Sequence, residues 1–252
     1  MLSRSKQALL LAPVLAVALA ALPAWAESRE EFHKTVAMDA NGSLTVKDVN
    51  GSITISAWDR NEVQIDAVKT ASSDEKLREA RIEVYGSGHS VNVETKYPDH
   101  ANNNPAKVEY TIHVPWGARL SDVATVNGSV HIDGPRGRIK AATVNGTVEV
   151  WNAADELEAE SVNGEVKASL SNAGAKPVKL SVVNGSLAVA MSPAANAHVV
   201  AATVHGEIHS DLPLKVEKPQ YGPGASVDST LGSGGSTIEL NTVNGSIYLH
   251  KN

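Results

Sequence analysis

The chain has no cysteine among its 252 residues. That excludes a disulfide framework and a lipid-modified N-terminal cysteine. Large aromatic residues are scarce too: one phenylalanine, Phe32, with four tryptophans and five tyrosines. A core must therefore come from Val, Ile, Leu and Ala, and small branched side chains suit thin β-layers. Basic charge is in deficit. The formal net charge is −6, and becomes −8 if a leader carrying Arg4 and Lys6 is removed. A chain this acidic has no electrostatic case for binding nucleic acid or anionic lipid. After residue 26 it also lacks an apolar run long enough to span a bilayer, which takes about 20 residues.

What is present begins with a targeting pattern. Arg4 and Lys6 precede an apolar stretch from Ala8 to Leu22, and Ala24-Trp25-Ala26 fits a small-x-small cleavage site. The expectation is a signal peptide over residues 1–26, cleaved near Ala26, and a periplasmic or secreted product. The remaining 226 residues make one ordinary domain or two small ones.

A short phrase then recurs: Thr125-Val126-Asn127-Gly128-Ser129-Val130, Thr143-Val144-Asn145-Gly146-Thr147-Val148 and Ser161-Val162-Asn163-Gly164-Glu165-Val166. It returns around Asn184-Gly185, His205-Gly206 and Asn244-Gly245, with earlier copies at Asn50-Gly51 and Asn41-Gly42. Asn127, Asn145 and Asn163 are 18 apart; Asn163, Asn184 and His205 are 21 apart; His205 to Asn244 is 39, close to two units. Self-similarity at a near-fixed period marks stacked units, each burying its apolar face on the next.

Alternation within a unit predicts strands. It puts Val126, Val130 and Ile132 on one face, repeated by Val144, Val148 and Val150 and then Val162 and Val166. Thr125, Ser129 and His131 fall on the other face. Asn-Gly between alternating runs is a hairpin signal, which favours an antiparallel meander or sandwich. Repetition of the same side chains favours instead a β-solenoid, β-helix-like, with roughly 18–21-residue turns. At about 3.3 Å per residue, such a turn makes a path of roughly 60 Å, which three sides of about six residues would close. The solenoid predicts an asparagine and glycine ladder through Asn127, Gly128, Asn145, Gly146, Asn163, Gly164, Asn184, Gly185, Asn244 and Gly245. It also places His131, Glu149 and Lys167 one strand apart.

The expected organisation is a repeat solenoid over residues 119–252 and an irregular N-terminal part over 27–118. In the latter, strands are predicted near Ser43–Val46, Ser52–Ala57, Glu62–Val68, Arg81–Tyr85, Ser90–Thr95 and Val108–Val114. One short helix fits Ser73–Arg81, with Ser72 and Glu75 spaced as a capping box. The stretches Tyr97–Lys107 and Pro219–Gly235 read as loops.

With these phrases laid out, the chain resembles the DUF4097 family of β-strand-repeat proteins, which carry an adhesin label. The resemblance rests on the Val-Asn-Gly-Ser-Ile phrases, on Ile53-Thr54-Ile55-Ser56-Ala57-Trp58-Asp59-Arg60-Asn61-Glu62-Val63, on Tyr110–Pro115 and on the closing Ile238–Leu249. It covers most of residues 35–250. It implies an exported β-solenoid-like domain with no established catalysis, and links to the cell envelope and its stress responses. His205 departs from the phrase, so the asparagine ladder is expected to break at that turn.

Motifs for chemistry are thin. His205-Gly206-Glu207-Ile208-His209 is no zinc helix, because in a strand positions four apart lie roughly 13 Å from each other. Asp39-Ala40-Asn41-Gly42 and Asp48-Val49-Asn50-Gly51 lack the remaining ligands of a calcium loop and read as turn chemistry. No Gly-x-Ser-x-Gly elbow occurs. Asp133 and Asp155 are candidate acids for polysaccharide cleavage, but spacing does not bring them together. Trp58, Trp116 and Trp151 could serve as sugar-stacking platforms; Trp151, at a strand end, is the candidate partner contact. The expected function is a non-enzymatic binding or scaffold surface in the cell envelope, with no cofactor or metal and an envelope protein or glycan as partner. A polysaccharide hydrolase or lyase and an envelope-stress sensing component are the alternatives.

Overall fold

A computed structural model of the chain describes residues 27–98 and 105–252. The signal-peptide expectation and the asparagine run from Asn102 lie outside those residues. The first part comprises β1 (Ser28–Lys47), β2 (Ile53–Trp58), β3 (Glu62–Ala71), α1 (Asp74–Glu79), β4 (Arg81–Lys96) and β5 (Lys107–Pro115). Strands then come in pairs: β6 (Arg119–Asn127) with β7 (Val130–Asp133), β8 (Ile139–Asn145) with β9 (Val148–Ala153), β10 (Leu157–Asn163) with β11 (Val166–Leu170), and β12 (Val178–Asn184) with β13 (Leu187–Met191). After β14 (Ala197–His205) and β15 (Ile208–Ser210), two short strands, β16 (Val216–Glu217) and β17 (Ala225–Leu231), precede the final pair, β18 (Thr237–Asn244) and β19 (Ile247–Lys251).

Each pair is one rung of an all-β solenoid, with the Asn-Gly phrase at the corner between its two strands. Equivalent strands stack in parallel and in register: Asn127 on Asn145, Asn145 on Asn163, Val130 on Val148, Val148 on Val166. A turn thus has two strands, one in each of two facing walls, and not three equal sides. The front wall carries β6, β8, β10, β12, β18 and β14. The back wall carries β7, β9, β11, β13, β19 and β15. Between them runs one apolar core, with Leu120, Ile132, Ile139, Val148, Leu157, Leu180, Leu187, Ile238 and Ile247 almost fully buried.

The rungs do not stack in chain order. β18 pairs with both β12 and β14, and β19 with both β13 and β15, so the last rung in sequence is inserted between the two before it. The start of the column shows the same device. The second half of β1 lies between β4 and β6, and β2 between β5 and β7, so β4 and β5 stack outside the rung that precedes them. Antiparallel strands close the ends: the first half of β1 on β3, β3 on β5, and β17 on β14. The predicted loop over Pro219–Gly235 therefore contains a strand, β17, whose Ala225 and Val227 pack into the core. The first half of β1, absent from the predicted strands, pairs Ser28–Ala37 with β3.

Helix α1 starts one residue later than the spacing implied. Its cap is Ser73, not Ser72, and the Ser73 hydroxyl accepts a hydrogen bond from the Lys76 backbone N–H. Leu77 anchors the helix on the core.

The phrase itself reads differently in three dimensions. Val126, Val144 and Val162 face solvent, while Thr125, Thr143 and Ser161 are buried. Alternation fails at the corner because Asn-Gly reverses the chain between the walls. Val130 and Val126 therefore belong to different strands, and period-two counting does not carry across the reversal. The buried hydroxyls have acceptors waiting. Thr125 donates to the Gly51 carbonyl at 3.0 Å, Thr143 to Gly128 at 2.8 Å, Ser161 to Gly146 at 2.9 Å, Thr242 to Gly185 at 3.2 Å and Thr203 to Gly245 at 2.8 Å. Each glycine also lies against its neighbour in the stack: a Cβ on Gly164 would collide with the carbonyl of Gly146, and one on Gly185 with that of Gly164.

Candidate functional site

Outward-facing residues on a solenoid form columns, and three columns differ from ordinary surface. The first is an amide ladder at the corner. Asn145 donates to Asn127, Asn163 to Asn145, Asn184 to Asn163 and Asn244 to Asn184, all at 2.8–3.0 Å and all in one direction. His205 pairs in register with Asn244, beyond the last amide. The ladder stops at the His205 turn, but rung insertion puts that turn at the end, so no asparagine pair is interrupted.

Beside the amides runs a column of valines: Val49, Val126, Val144, Val162, Val183, Val243 and Val204, in stacking order. Each is 38–54% exposed. Seven rungs at about 4.8 Å make a stripe roughly 29 Å long. Scattered surface valines need no explanation, whereas a contiguous apolar stripe marks a contact surface. The next column inward is small or polar, with Ala142, Glu160, Ser181, Asn241 and Ala202. Toward the inserted rung the two columns form a shallow groove of about 400 Å³ floored by Val162, Val183, Val243 and Val204. Sequence reasoning turned Val126, Val144 and Val162 inward and so missed the stripe; the threonine or serine that precedes five of the seven valines was the available signal. A third column is charged and alternates in sign. Lys140 pairs with Glu158 at 3.2 Å, and Glu158, Lys179 and Glu239 follow in register. On the back wall His131, Glu149 and Lys167 are neighbours, as the period requires, with His131 to Glu149 at 3.2 Å and Lys167 to Glu149 at 3.7 Å. Exposed pairs of this kind contribute roughly 0–1 kcal/mol and act mainly on register.

The back wall also holds a cleft of about 430 Å³, lined by Ser56, Trp116, Asp133, Arg136, Asn152 and Ser171 among others. Trp116 is the most exposed of the three tryptophans in the described residues, at 43%. Its ring edge lies over Gly134, where a Cβ would come within 3.0 Å of it. The Arg136 guanidinium lies 5.2 Å from the indole centroid, and its backbone N–H donates to the Trp116 carbonyl at 2.7 Å. The Asn152 side-chain amide donates to Asp133 at 2.8 Å. Asn152 has a φ of 61°, and its backbone N–H is held by the Ser169 hydroxyl at 2.9 Å. Trp151 is half-buried and in register with Asp133, but it does not line the cleft. Trp58 is half-buried, stacked on His113 at 5.2 Å with Arg60 over its ring at 4.8 Å. Asp155 is not in the cleft; its side chain accepts from the Glu156 backbone N–H.

Asp48 stands at the buried-hydroxyl place of its rung, one step beyond Thr125. It is only 6% exposed, and neither carboxylate oxygen has a hydrogen bond of normal geometry. Burial pushes its pKa up to about 6; the Thr95 hydroxyl and the backbone N–H groups of Val49 and Asn50 offset only part of this. Thr95 is engaged with the buried Tyr110 hydroxyl at 2.7 Å. His209 is stacked on Tyr248 at 5.2 Å and paired with Glu207, a local surface arrangement.

Stacked parallel rungs, hydroxyl-filled corners, an amide ladder and inserted end rungs define a capped two-walled β-solenoid. The chain belongs to the Toastrack DUF4097 family, whose match spans residues 29–250. Among solved structures it is similar to a candidate cell adhesion protein from Clostridium sporogenes, with 16% identity over 88% of this chain and 100% of that one, TM-score 0.44. It is also similar to a candidate adhesin from Parabacteroides merdae, with 11% identity over 88% and 96%, TM-score 0.31. A candidate lipid-binding protein from Parabacteroides distasonis gives 11% identity over 89% and 96%, TM-score 0.31. No curated protein matches the sequence.

Proposed function

We propose that the chain is exported, loses residues 1–26, and serves in the cell envelope as a non-enzymatic binding scaffold. Residues 119–252 supply most of the contact column and residues 27–118 its capped base. The observation that carries this reading is the exposed valine stripe. It is straight, flanked by amides that are hydrogen-bonded to one another, and mounted on a core that leaves it little freedom to move. Such a surface suits a flat or extended protein partner, since apolar contact gives affinity and the fixed rung spacing gives register. Against catalysis, the cleft holding Asp133 is lined by no second carboxylate, and glycoside cleavage needs two acids across a bond.

The absence of cysteine makes the test clean. A photo-crosslinker attached through Val162→Cys is expected to yield a discrete adduct with an envelope component, while the same probe at Lys167→Cys on the back wall gives none. Equal labelling from both positions, or none from either, would refute the scaffold reading.

A further inference from the structure

The Trp116 cleft has a chemistry the valine stripe lacks. One exposed indole is surrounded by a carboxylate, a guanidinium, a carboxamide and two hydroxyls, from Asp133, Arg136, Asn152, Ser56 and Ser171. We propose that this cleft binds a neutral saccharide. The proposal deepens the scaffold reading by naming a ligand class, but it stands on the opposite wall from the stripe.

Aromatic faces take the C–H face of a pyranose ring, and planar polar groups at the rim take its hydroxyls. Trp116 is placed to provide the first. Asp133 provides acceptors: one oxygen is occupied by Asn152 and the other is free of that contact. Ser56, Asp133, Asn152 and Ser171 belong to four successive rungs, so their polar groups are spread along the cleft, as the hydroxyls of a sugar are spread around its ring. The polar wall is held in advance. Asn152 is pinned by Asp133 and Ser169, the Ser171 hydroxyl donates to the Ala153 carbonyl at 3.0 Å, and the Ser56 hydroxyl is hydrogen-bonded to His113 at 2.7 Å. Preorganised polar groups of this kind lose little freedom on binding. The volume of about 430 Å³ falls within the usual range for small-molecule sites, about 300–1,000 Å³.

Charge selects among sugars. Asp133 and Arg136 balance each other, so no net field favours a uronate, a sulfated sugar or an aminosugar cation. Arg136 is exposed, and its hold on the indole is the weak surface form of a cation–π contact. A stacking sugar ring would displace the guanidinium to the cleft rim, where its N–H groups can donate to hydroxyls.

The test is titration of the protein with cellobiose, lactose, maltose, mannobiose and chitobiose, followed by tryptophan fluorescence and by saturation transfer from protein to sugar protons. At least one disaccharide is expected to bind saturably with a dissociation constant of about 1 mM. Trp116→Ala and Asp133→Asn should each weaken that binding by about tenfold or more, and Val183→Ser on the opposite wall should leave it unchanged. Asp133 is exposed, so its variant keeps the fold even if Trp116→Ala does not. Absence of saturable binding by all five sugars up to about 50 mM, or binding indifferent to both cleft variants, would overturn the proposal. Crosslinking from Val162→Cys reports on the scaffold reading separately, so either can fail alone.

Discussion

Gly164 sits against the carbonyl of Gly146 with φ near 154°, and Gly146 sits likewise against Gly128. Alanine at Gly164 meets both a steric block and an unfavourable backbone conformation, so Gly164→Ala should lower stability by about 2–4 kcal/mol in chemical denaturation. Asp48 is the residue at which titration should show. Its folded pKa, about 6, lies above the ordinary aspartate value of 3.8, so between those values the folded state holds more protons than the unfolded one. Stability then falls as pH rises through that window, by an amount on the order of 3 kcal/mol above pH 6. Asp48→Thr restores the hydroxyl found at Thr125 and Thr143. The gap between variant and parent should be small at pH 4 and open in the variant's favour by pH 7, as read from urea midpoints at each pH. A gap independent of pH would mean that Asp48 is ionised throughout.

Between the two strands of one rung, burial separates residues that the sequence makes look alike. Val162 and Val166 are four apart in one phrase, yet Val162 is 39% exposed and Val166 fully buried. Val162→Ser should change stability by less than about 0.5 kcal/mol, whereas Leu180→Ala, which empties a core position, should cost about 2–5 kcal/mol. The rungs themselves were legible because Asn-Gly tolerates the corner and the period repeats. Asn127, Asn145 and Asn163 could be read as a ladder from spacing alone. The facing of the valines could not, since alternation counts residues along a straight strand and the phrase spans a bend. For β17 the glycines and prolines around Ser226–Leu231 masked a short strand that lies on the edge of β14, with β16 on its other side.

For the whole molecule, insertion of the last rung has a consequence for stability. Removing residues 237–252 would leave β12 and β14 without the strand that joins them, exposing two edges and part of the core. Such a truncation should lose hydrogen-exchange protection in β14 and β15 while β6 to β11 remain protected, because a repeat array fails locally. It should also self-associate, since unpaired edges invite strand addition. Uniform loss of protection would show that the column melts as one unit.

Spacing and residue type determined on their own that the chain is a cysteine-free stack of β-rungs, with asparagine and glycine columns at one corner. A repeated local interaction leaves a repeated local signature. Only the tertiary structure decided which rung lies beside which, that the corner valines face water, and that Trp116, not Trp151, opens onto a polar cleft. Those outcomes depend on contacts between segments far apart in the chain, such as β18 with β12 and Trp116 with Gly134. No short-range pattern encodes them, because each partner's position is set by packing that neither segment contains.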